Sequence, residues 1–174
     1  SMRVKLKSWR VEISESVSHD KKCPRYLGVL VSGVSALMPT PIEMKARLYQ
    51  AGIRPINLLV DITNYVLLES GQPMHVFDAD KITGGLIEVR AARQGEELLA
   101  LDGKNYRLAT GDLVIADTAG PLALAGIMGG QSSGVSSTTS RVFFECANFS
   151  AAAVRRTSRR LSLLNEREKA PRPC

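Results

Sequence analysis

Leu113-Val114-Ile115-Ala116-Asp117-Thr118-Ala119-Gly120-Pro121-Leu122-Ala123-Leu124-Ala125 decides how this chain is read. Two short apolar runs, Leu113–Ala116 and Leu122–Ala125, flank the turn signal Ala119-Gly120-Pro121, which predicts strand, turn, strand. Outward from it the pattern stays β. Leu86–Ala91, Glu97–Ala100 and Val142–Cys146 are further candidate strands. Asp102-Gly103-Lys104-Asn105 and Thr110-Gly111-Asp112 are turns. Gly126-Ile127-Met128-Gly129-Gly130 is a glycine-rich bend. Ser132 to Ser140, with five serines and two threonines, is a loop.

The first half is mixed. Val4, Leu6, Trp9, Val11 and Ile13 alternate loosely and suggest a strand or edge segment. Tyr26–Val34 is short, apolar and rich in branched residues, so a buried strand is expected. Thr40-Pro41-Ile42-Glu43 predicts a helix start, with Thr40 as cap, Pro41 in the first turn and Glu43 closing a capping box. Ile42, Ala46 and Leu48 or Tyr49 supply its apolar face, and Gly52 stops it. Asp61 is the expected cap of a second short helix ending near Gly71. Gln72–Asp78 is a turn leading into an extended segment, and Thr83-Gly84-Gly85 another turn. A last helix begins at Ser150 and runs toward Leu161. The fold class is α+β, strand-dominated, with two or three short helices.

The chain has 174 residues, 44% of them apolar, which suffices for a real core in one domain or two small interleaved ones. No apolar run reaches the roughly 18–20 residues of a membrane span, and no signal-peptide core follows the start. Ser1 before Met2 reads as a tag-removal scar. A cytoplasmic protein is expected. Cys23, Cys146 and Cys174 form no C-x-x-C pair, and His19 lies far from His75, so neither a metal site nor a disulfide framework is expected. The formal charge of +6 is concentrated late: Arg155-Arg156-Thr157-Ser158-Arg159-Arg160 holds four arginines in six residues. That cluster suits phosphate contacts, or it is an ordinary solvated helix face.

Few residues carry chemistry. The glycine-rich bend lacks the Gly-Lys-Ser/Thr ending of a phosphate loop and the spacing of a dinucleotide fingerprint. It is either a tight bend or a close approach of backbone to a ligand. His75 follows a proline in a turn and is either structural or a group that bonds substrate or activates water. Asn64 is a polar residue beside Tyr65-Val66-Leu67-Leu68. Glu145 interrupts the apolar run Val142-Phe143-Phe144-Glu145-Cys146-Ala147, where a carboxylate either points to solvent or is buried for a purpose. Period two puts it on one face with Phe143 and Ala147. No Gly-x-Ser-x-Gly elbow or Ser/His/Asp arrangement is present, which argues against a covalent hydrolase.

Seven motifs occur in order: Cys23-Pro24-Arg25-Tyr26, Gly52-Ile53-Arg54-Pro55-Ile56-Asn57, Val60-Asp61-Ile62-Thr63-Asn64-Tyr65-Val66, Gly71-Gln72-Pro73-Met74-His75-Val76-Phe77-Asp78, Leu101-Asp102-Gly103, Ala125-Gly126-Ile127-Met128-Gly129-Gly130 and Phe144-Glu145-Cys146-Ala147. The series resembles the editing domain of the bacterial phenylalanyl-tRNA synthetase beta subunit over about residues 20 to 163. The resemblance implies a proofreading domain that binds and hydrolyses tyrosine wrongly attached to the phenylalanine tRNA. It implies that Glu145 reads the tyrosine phenol, that Gly129 forms pocket wall, and that His75 lies near the ester and the attacking water. Asn64 and Arg54 would match polar positions of the pocket or its tRNA-facing rim, and Arg155, Arg156, Arg159 and Arg160 would meet tRNA phosphates. No cofactor is implied for this domain; ATP and magnesium belong to the full synthetase, as does the alpha subunit as partner. The division implied is a lead-in over 1–22, the editing domain over 23–163 and a divergent tail over 164–174. In that tail Asn165 and Arg167 replace a pocket-lining threonine and alanine of the family, so either the tail is not native or the pocket is altered. The competing readings are a non-catalytic tRNA-binding or scaffold module and a free-standing editing factor.

Overall fold

The computed structural model describes residues 9–163. Val4, Leu6, the tail 164–174 and Cys174 lie outside them. In chain order the elements are β1 (Arg10–Ile13), α1 (Glu15–His19), β2 (Arg25–Ser32), α2 (Ile42–Gln50), α3 (Leu58–Ser70), β3 (Met74–Asp78), β4 (Leu86–Ala91), β5 (Glu97–Leu99), β6 (Asn105–Arg107), β7 (Leu113–Ala116), β8 (Pro121–Leu124), β9 (Met128–Gly129), β10 (Arg141–Asn148) and α4 (Ala151–Arg160). The class is α+β, with one helix more than the sequence suggests: α1, a single turn among polar residues with only Val17 buried.

Two compact units share the chain, and neither is one continuous segment. The first is built from Tyr26–Gly85 and Ser133–Ala147. Its sheet has the order β2-β10-β3, with β10 and β3 antiparallel. One face of this sheet presents Val76 and Val142, which pack with Leu59 of α3. On the other face Phe143 and Phe77 are fully buried. Gly28 of β2 is required there, since a Cβ would lie 2.1 Å from Cζ of Phe143. β2 itself is not the buried strand that its composition suggests. Leu27 and Val29 are exposed, because β2 is an edge strand and only one side of its pleat is covered.

The helices of this unit start differently from expectation. α2 begins at Ile42 with Pro41 as cap and no side-chain cap bond. Thr40 does not cap it, because its hydroxyl donates to Asp61 Oδ2 at 2.5 Å. Asp61 in turn does not cap α3. Asn57 does, accepting from the Val60 N–H at 3.1 Å, while Asp61 sits fully buried in the first turn and also takes the Ile56 N–H at 2.8 Å. A tertiary bond has claimed the residue that local sequence offered as a cap. Of the apolar face expected on α2, only Leu48 is buried; Ile42, Ala46 and Tyr49 face outward. Gly71 ends α3 in the left-handed conformation, φ 71°, as glycine permits.

The second unit comprises Arg10–Arg25, Leu86–Ser132 and Asn148 onward. Its sheet has the order β1-β4-β7-β8-β9, parallel at β1/β4 and antiparallel elsewhere. Leu113–Ala116 is buried at every position, which explains its unbroken apolar run. The glycine-rich bend contributes a strand, β9, at the edge of the sheet. Asn105, expected as the end of a turn, instead opens β6, the return strand of a β5–β6 hairpin. The core gathers Leu98, Ala100, Leu108, Val114, Ala116 and Leu124.

α4 packs through Ala153, Thr157 and Ser158, and Ala151 is exposed. Ser150 caps it, accepting from the Ala153 N–H. Among the described residues no helix is long and apolar enough to cross a membrane, and Cys146 is a free thiol.

Candidate functional site

The antiparallel register of β10 against β3 sets Glu145 directly opposite His75, Phe143 opposite Phe77 and Phe144 opposite Val76. Residues opposite one another on neighbouring strands project to the same face, so Glu145, His75, Phe143 and Phe77 share one side of the sheet. The His75 and Phe77 rings meet edge to face with centroids 4.5 Å apart. Trp9 stacks on Phe143 at 5.6 Å. A carboxyl and an imidazole are thus held side by side in aromatic surroundings, on the face opposite Val76 and Val142.

Their electrostatics follow from burial. Glu145 is 5% exposed, and its Oε2 is buried with no hydrogen-bond partner among the described residues. Burial pushes its carboxyl up from 4.5 to about 8, because the charged form loses its hydration without a compensating partner. Burial pushes the His75 imidazolium down from 6.5 to about 4. Near pH 7 both groups are therefore neutral. The acid offers an O–H donor and a carbonyl acceptor; the ring offers one N–H and one lone pair. A phenol hydroxyl, which both donates and accepts, is chemically matched to Glu145.

The other candidates are distributed as follows. Asn64 lies in α3, half-buried, and Arg54 lies exposed in the link from α2 to α3, both in the same unit as Glu145 and His75. Gly129 belongs to the second unit. It is buried in β9, opposite Ala123 of β8, and its carbonyl accepts the Leu101 N–H at 3.0 Å. Next to it, Gly130 leaves no room for a side chain, since a Cβ would lie 2.6 Å from the Leu122 carbonyl oxygen.

The arginine cluster on α4 divides in two. Arg155, Arg156 and Arg159 are exposed and make no ion pair among the described residues. Arg160 pairs with the buried Asp112, which also accepts the Thr157 hydroxyl at 2.9 Å. Its guanidinium is thus engaged in holding α4 to the turn before β7. Sequence reading misses Gly28 and the Asp61 hub. A glycine in mid-strand is the signal for the first; the second has no local signal, because Asp61 is a plausible cap in sequence.

Comparison with known proteins supplies the family. Residues 22–170 match the B3/4 domain family. The chain is 50% identical over 151 residues to the phenylalanine–tRNA ligase beta subunit of Thiobacillus denitrificans, and 49% identical over the same length to that of Aliivibrio fischeri; each alignment covers 87% of this chain and 19% of the relative. The beta subunit of Oleidesulfovibrio alaskensis is 43% identical over 155 residues. The chain thus spans about a fifth of the length of these curated relatives. The fold matches the crystal structure of an N-terminal fragment of the phenylalanyl-tRNA synthetase beta subunit from Pyrococcus horikoshii, with a TM-score of 0.62 at 18% identity, covering 88% of this chain and 47% of that one. A match across most of the chain, joined to these identities, shows that the chain belongs to the B3/4 domain family, in the form found in phenylalanyl-tRNA synthetase beta subunits.

Proposed function

We propose that this domain proofreads phenylalanine tRNA, hydrolysing the ester of tyrosine attached to it in error. The observation that carries the reading is the buried Glu145 carboxyl with an unpartnered oxygen, set opposite His75 across β10 and β3. A buried polar atom left without a partner costs free energy, so its retention is explained by a ligand that supplies the partner. The phenol hydroxyl distinguishes tyrosine from phenylalanine. A synthetic site that is merely hydrophobic rejects an added hydroxyl only about a hundredfold, which makes a second, hydroxyl-reading sieve useful.

In this reading Glu145 binds the phenol. Asn64 and Arg54 contribute polar contacts at the rim. Water attacks the ester carbonyl carbon, the bond to the terminal ribose oxygen breaks, and that oxygen leaves with a proton. His75 with a pKa of about 4 is a weak base at neutral pH; its role is to orient water through its lone pair, so that rate comes from positioning at an activated ester. Arg155, Arg156 and Arg159 grip phosphates without reading bases. The larger assembly, with the alpha subunit performing aminoacylation using ATP and magnesium, is the setting in which such a domain works.

The test is deacylation of tyrosyl- and phenylalanyl-tRNA by parent and Glu145→Ala, in the full-length subunit with its alpha partner. Removing the hydrogen bond to the phenol is expected to lower the tyrosine-over-phenylalanine preference by roughly 5- to 150-fold, for a polar interaction of about 1–3 kcal/mol. Equal losses on both substrates refute the specificity role. Activity on neither substrate in the parent favours a module that only binds tRNA.

A further inference from the structure

The face of the β2-β10-β3 sheet that carries Glu145 grades from closed to open along the strands. Phe143 and Phe77, opposite one another, are 1% and 0% exposed. Two residues along each strand, on the same side, come Glu145, still buried, and His75, half-buried. Two residues further, Ala147 is half-buried and Pro73 exposed. Solvent and ligand therefore reach the pair from the His75 end, and the phenylalanine end is shut. The sheet alone does not shut it. The indole of Trp9 stacks on Phe143 with ring centroids 5.6 Å apart and planes 14° from parallel. The tip of the Phe143 ring lies over Gly28, where a Cβ would be 2.1 Å from Cζ. Two segments far from Phe143 in sequence thus hold its ring. Trp9, half-buried, is the outer layer over a fully buried Phe143.

We propose that Trp9 is a positioning residue of the Glu145 site: by holding Phe143 in place it keeps bulk water from the carboxyl, and so makes the site selective for an aromatic ring that carries a hydroxyl. This role rests on the proofreading reading and adds to it a residue that the motif series does not contain. Contact with the aromatic ring cannot tell tyrosine from phenylalanine, since both have one. Selectivity comes from what happens when the hydroxyl is missing. In a site closed to water, phenylalanine leaves the acid unpaired and suffers the full desolvation penalty. In a site open to water, a water molecule stands in for the phenol, the penalty vanishes and phenylalanine is accepted. Glu145 meets the first condition, because its Oε2 is buried with no hydrogen-bond partner among the described residues. The raised carboxyl, at about 8, has the same cause.

The experiment compares Trp9→Ala and Trp9→Phe with the parent, in the full-length subunit with its alpha partner, on tyrosyl- and phenylalanyl-tRNA. Trp9→Ala is expected to raise deacylation of phenylalanyl-tRNA by about fivefold or more, the low end of what an unsatisfied buried polar group costs, with kcat/KM on tyrosyl-tRNA little changed. Trp9→Phe keeps a ring over Phe143 and is expected to behave as the parent. Phe143→Leu removes the ring that Trp9 covers and is expected to give the pattern of Trp9→Ala, which keeps the test open if that variant does not fold. A tryptophan that only supports the fold predicts loss on both esters together; that result overturns the proposal, as does no change on either. A second measurement needs neither tRNA nor activity. Carbon NMR of labelled glutamate in this chain follows the titration of Glu145, assigned by the signal that Glu145→Gln removes. Its midpoint, about 8 in the parent, is expected to fall by about one unit or more in Trp9→Ala as water reaches the carboxyl. An unmoved midpoint overturns the proposal whatever the deacylation result. A parent that deacylates neither ester refutes the proofreading reading instead, and the midpoint then decides whether Trp9 keeps water from the acid.

Discussion

Replacing Glu145 by Gln keeps the shape of the side chain and removes its titration, which makes the buried carboxyl measurable as stability. The Glu145 carboxyl is raised by burial from 4.5 to about 8. A folded-state pKa above the unfolded one means that the native protein keeps a proton which the unfolded chain releases, so stability falls as pH rises. The contribution is whole below about pH 4.5 and is lost progressively until the pH passes about 8. Between pH 6 and pH 9 the loss is about two pK units, or about 3 kcal/mol at ~1.4 kcal/mol per unit.

His75 works in the opposite sense. Its depressed pKa, about 4 against 6.5, makes stability fall as pH drops below about 6.5, since the unfolded chain takes up a proton that the half-buried ring refuses. Its contribution is common to parent and variant and cancels in their difference. Chemical denaturation at pH 6, 7, 8 and 9 on both proteins gives that difference. The parent is expected to lose about 3 kcal/mol more than Glu145→Gln over the range. Parallel curves would mean that the carboxyl is already ionised in the native state from pH 6 to 9, and the argument for a neutral, unpartnered acid would fail.

The α4 cluster yields a paired prediction. Arg155→Gln with Arg159→Gln is expected to weaken tRNA binding and flatten its salt dependence by roughly one unit for each phosphate no longer neutralised, with stability unchanged; Arg160→Gln is expected to leave the salt slope alone and cost about 1–3 kcal/mol of stability by baring Asp112. Gly130→Ala is expected to destabilise by about 1–3 kcal/mol, read by thermal denaturation, because the obstacle 2.6 Å away is the Leu122 backbone carbonyl, which cannot swing aside.

What can be read from sequence is local, and what cannot is tertiary. Leu113–Ala116 shows itself as a strand because four consecutive apolar residues are buried on both faces. Ser150 shows itself as a cap because the bond it makes is three residues away. Asp61 is indistinguishable from a cap until Thr40 and Ile56 are seen to claim it. The apolar stripe of α2 reads correctly as a stripe and wrongly as core, because periodicity reports that a face wants cover without saying what covers it. Glu145 stands out because a carboxylate in an apolar strand breaks the pattern. Its pairing with His75 does not, since antiparallel register between strands about seventy residues apart leaves no mark in either one. The motif series and its resemblance point to the family; the pairing and the protonation of Glu145 need coordinates.

How this chain treats its other buried acids bears on how Glu145 should be understood. Asp61 accepts the Thr40 hydroxyl at 2.5 Å, Asp78 the Thr139 hydroxyl at 2.6 Å and Asp112 the Thr157 hydroxyl at 2.9 Å. Each also takes at least one backbone N–H: from Ile56, Asp80 and Ala109 respectively. The recurring solution is a threonine from a distant segment plus a local amide, which compensates the desolvation of the carboxylate and staples two pieces of chain together. Glu145 departs from it. It sits in a regular strand whose amides belong to the ladder, faces His75 and Phe143, and keeps one oxygen unpartnered. Three buried aspartates carry this device and a fourth, Asp117, accepts the Ala119 and Gly120 N–H groups, so Glu145 is not left open through a general tolerance of unsatisfied buried acids. Three staples hold structure and need no ligand. The unsatisfied acid is suited to a hydroxyl, and that contrast, more than its burial alone, makes Glu145 the residue on which the proofreading reading rests.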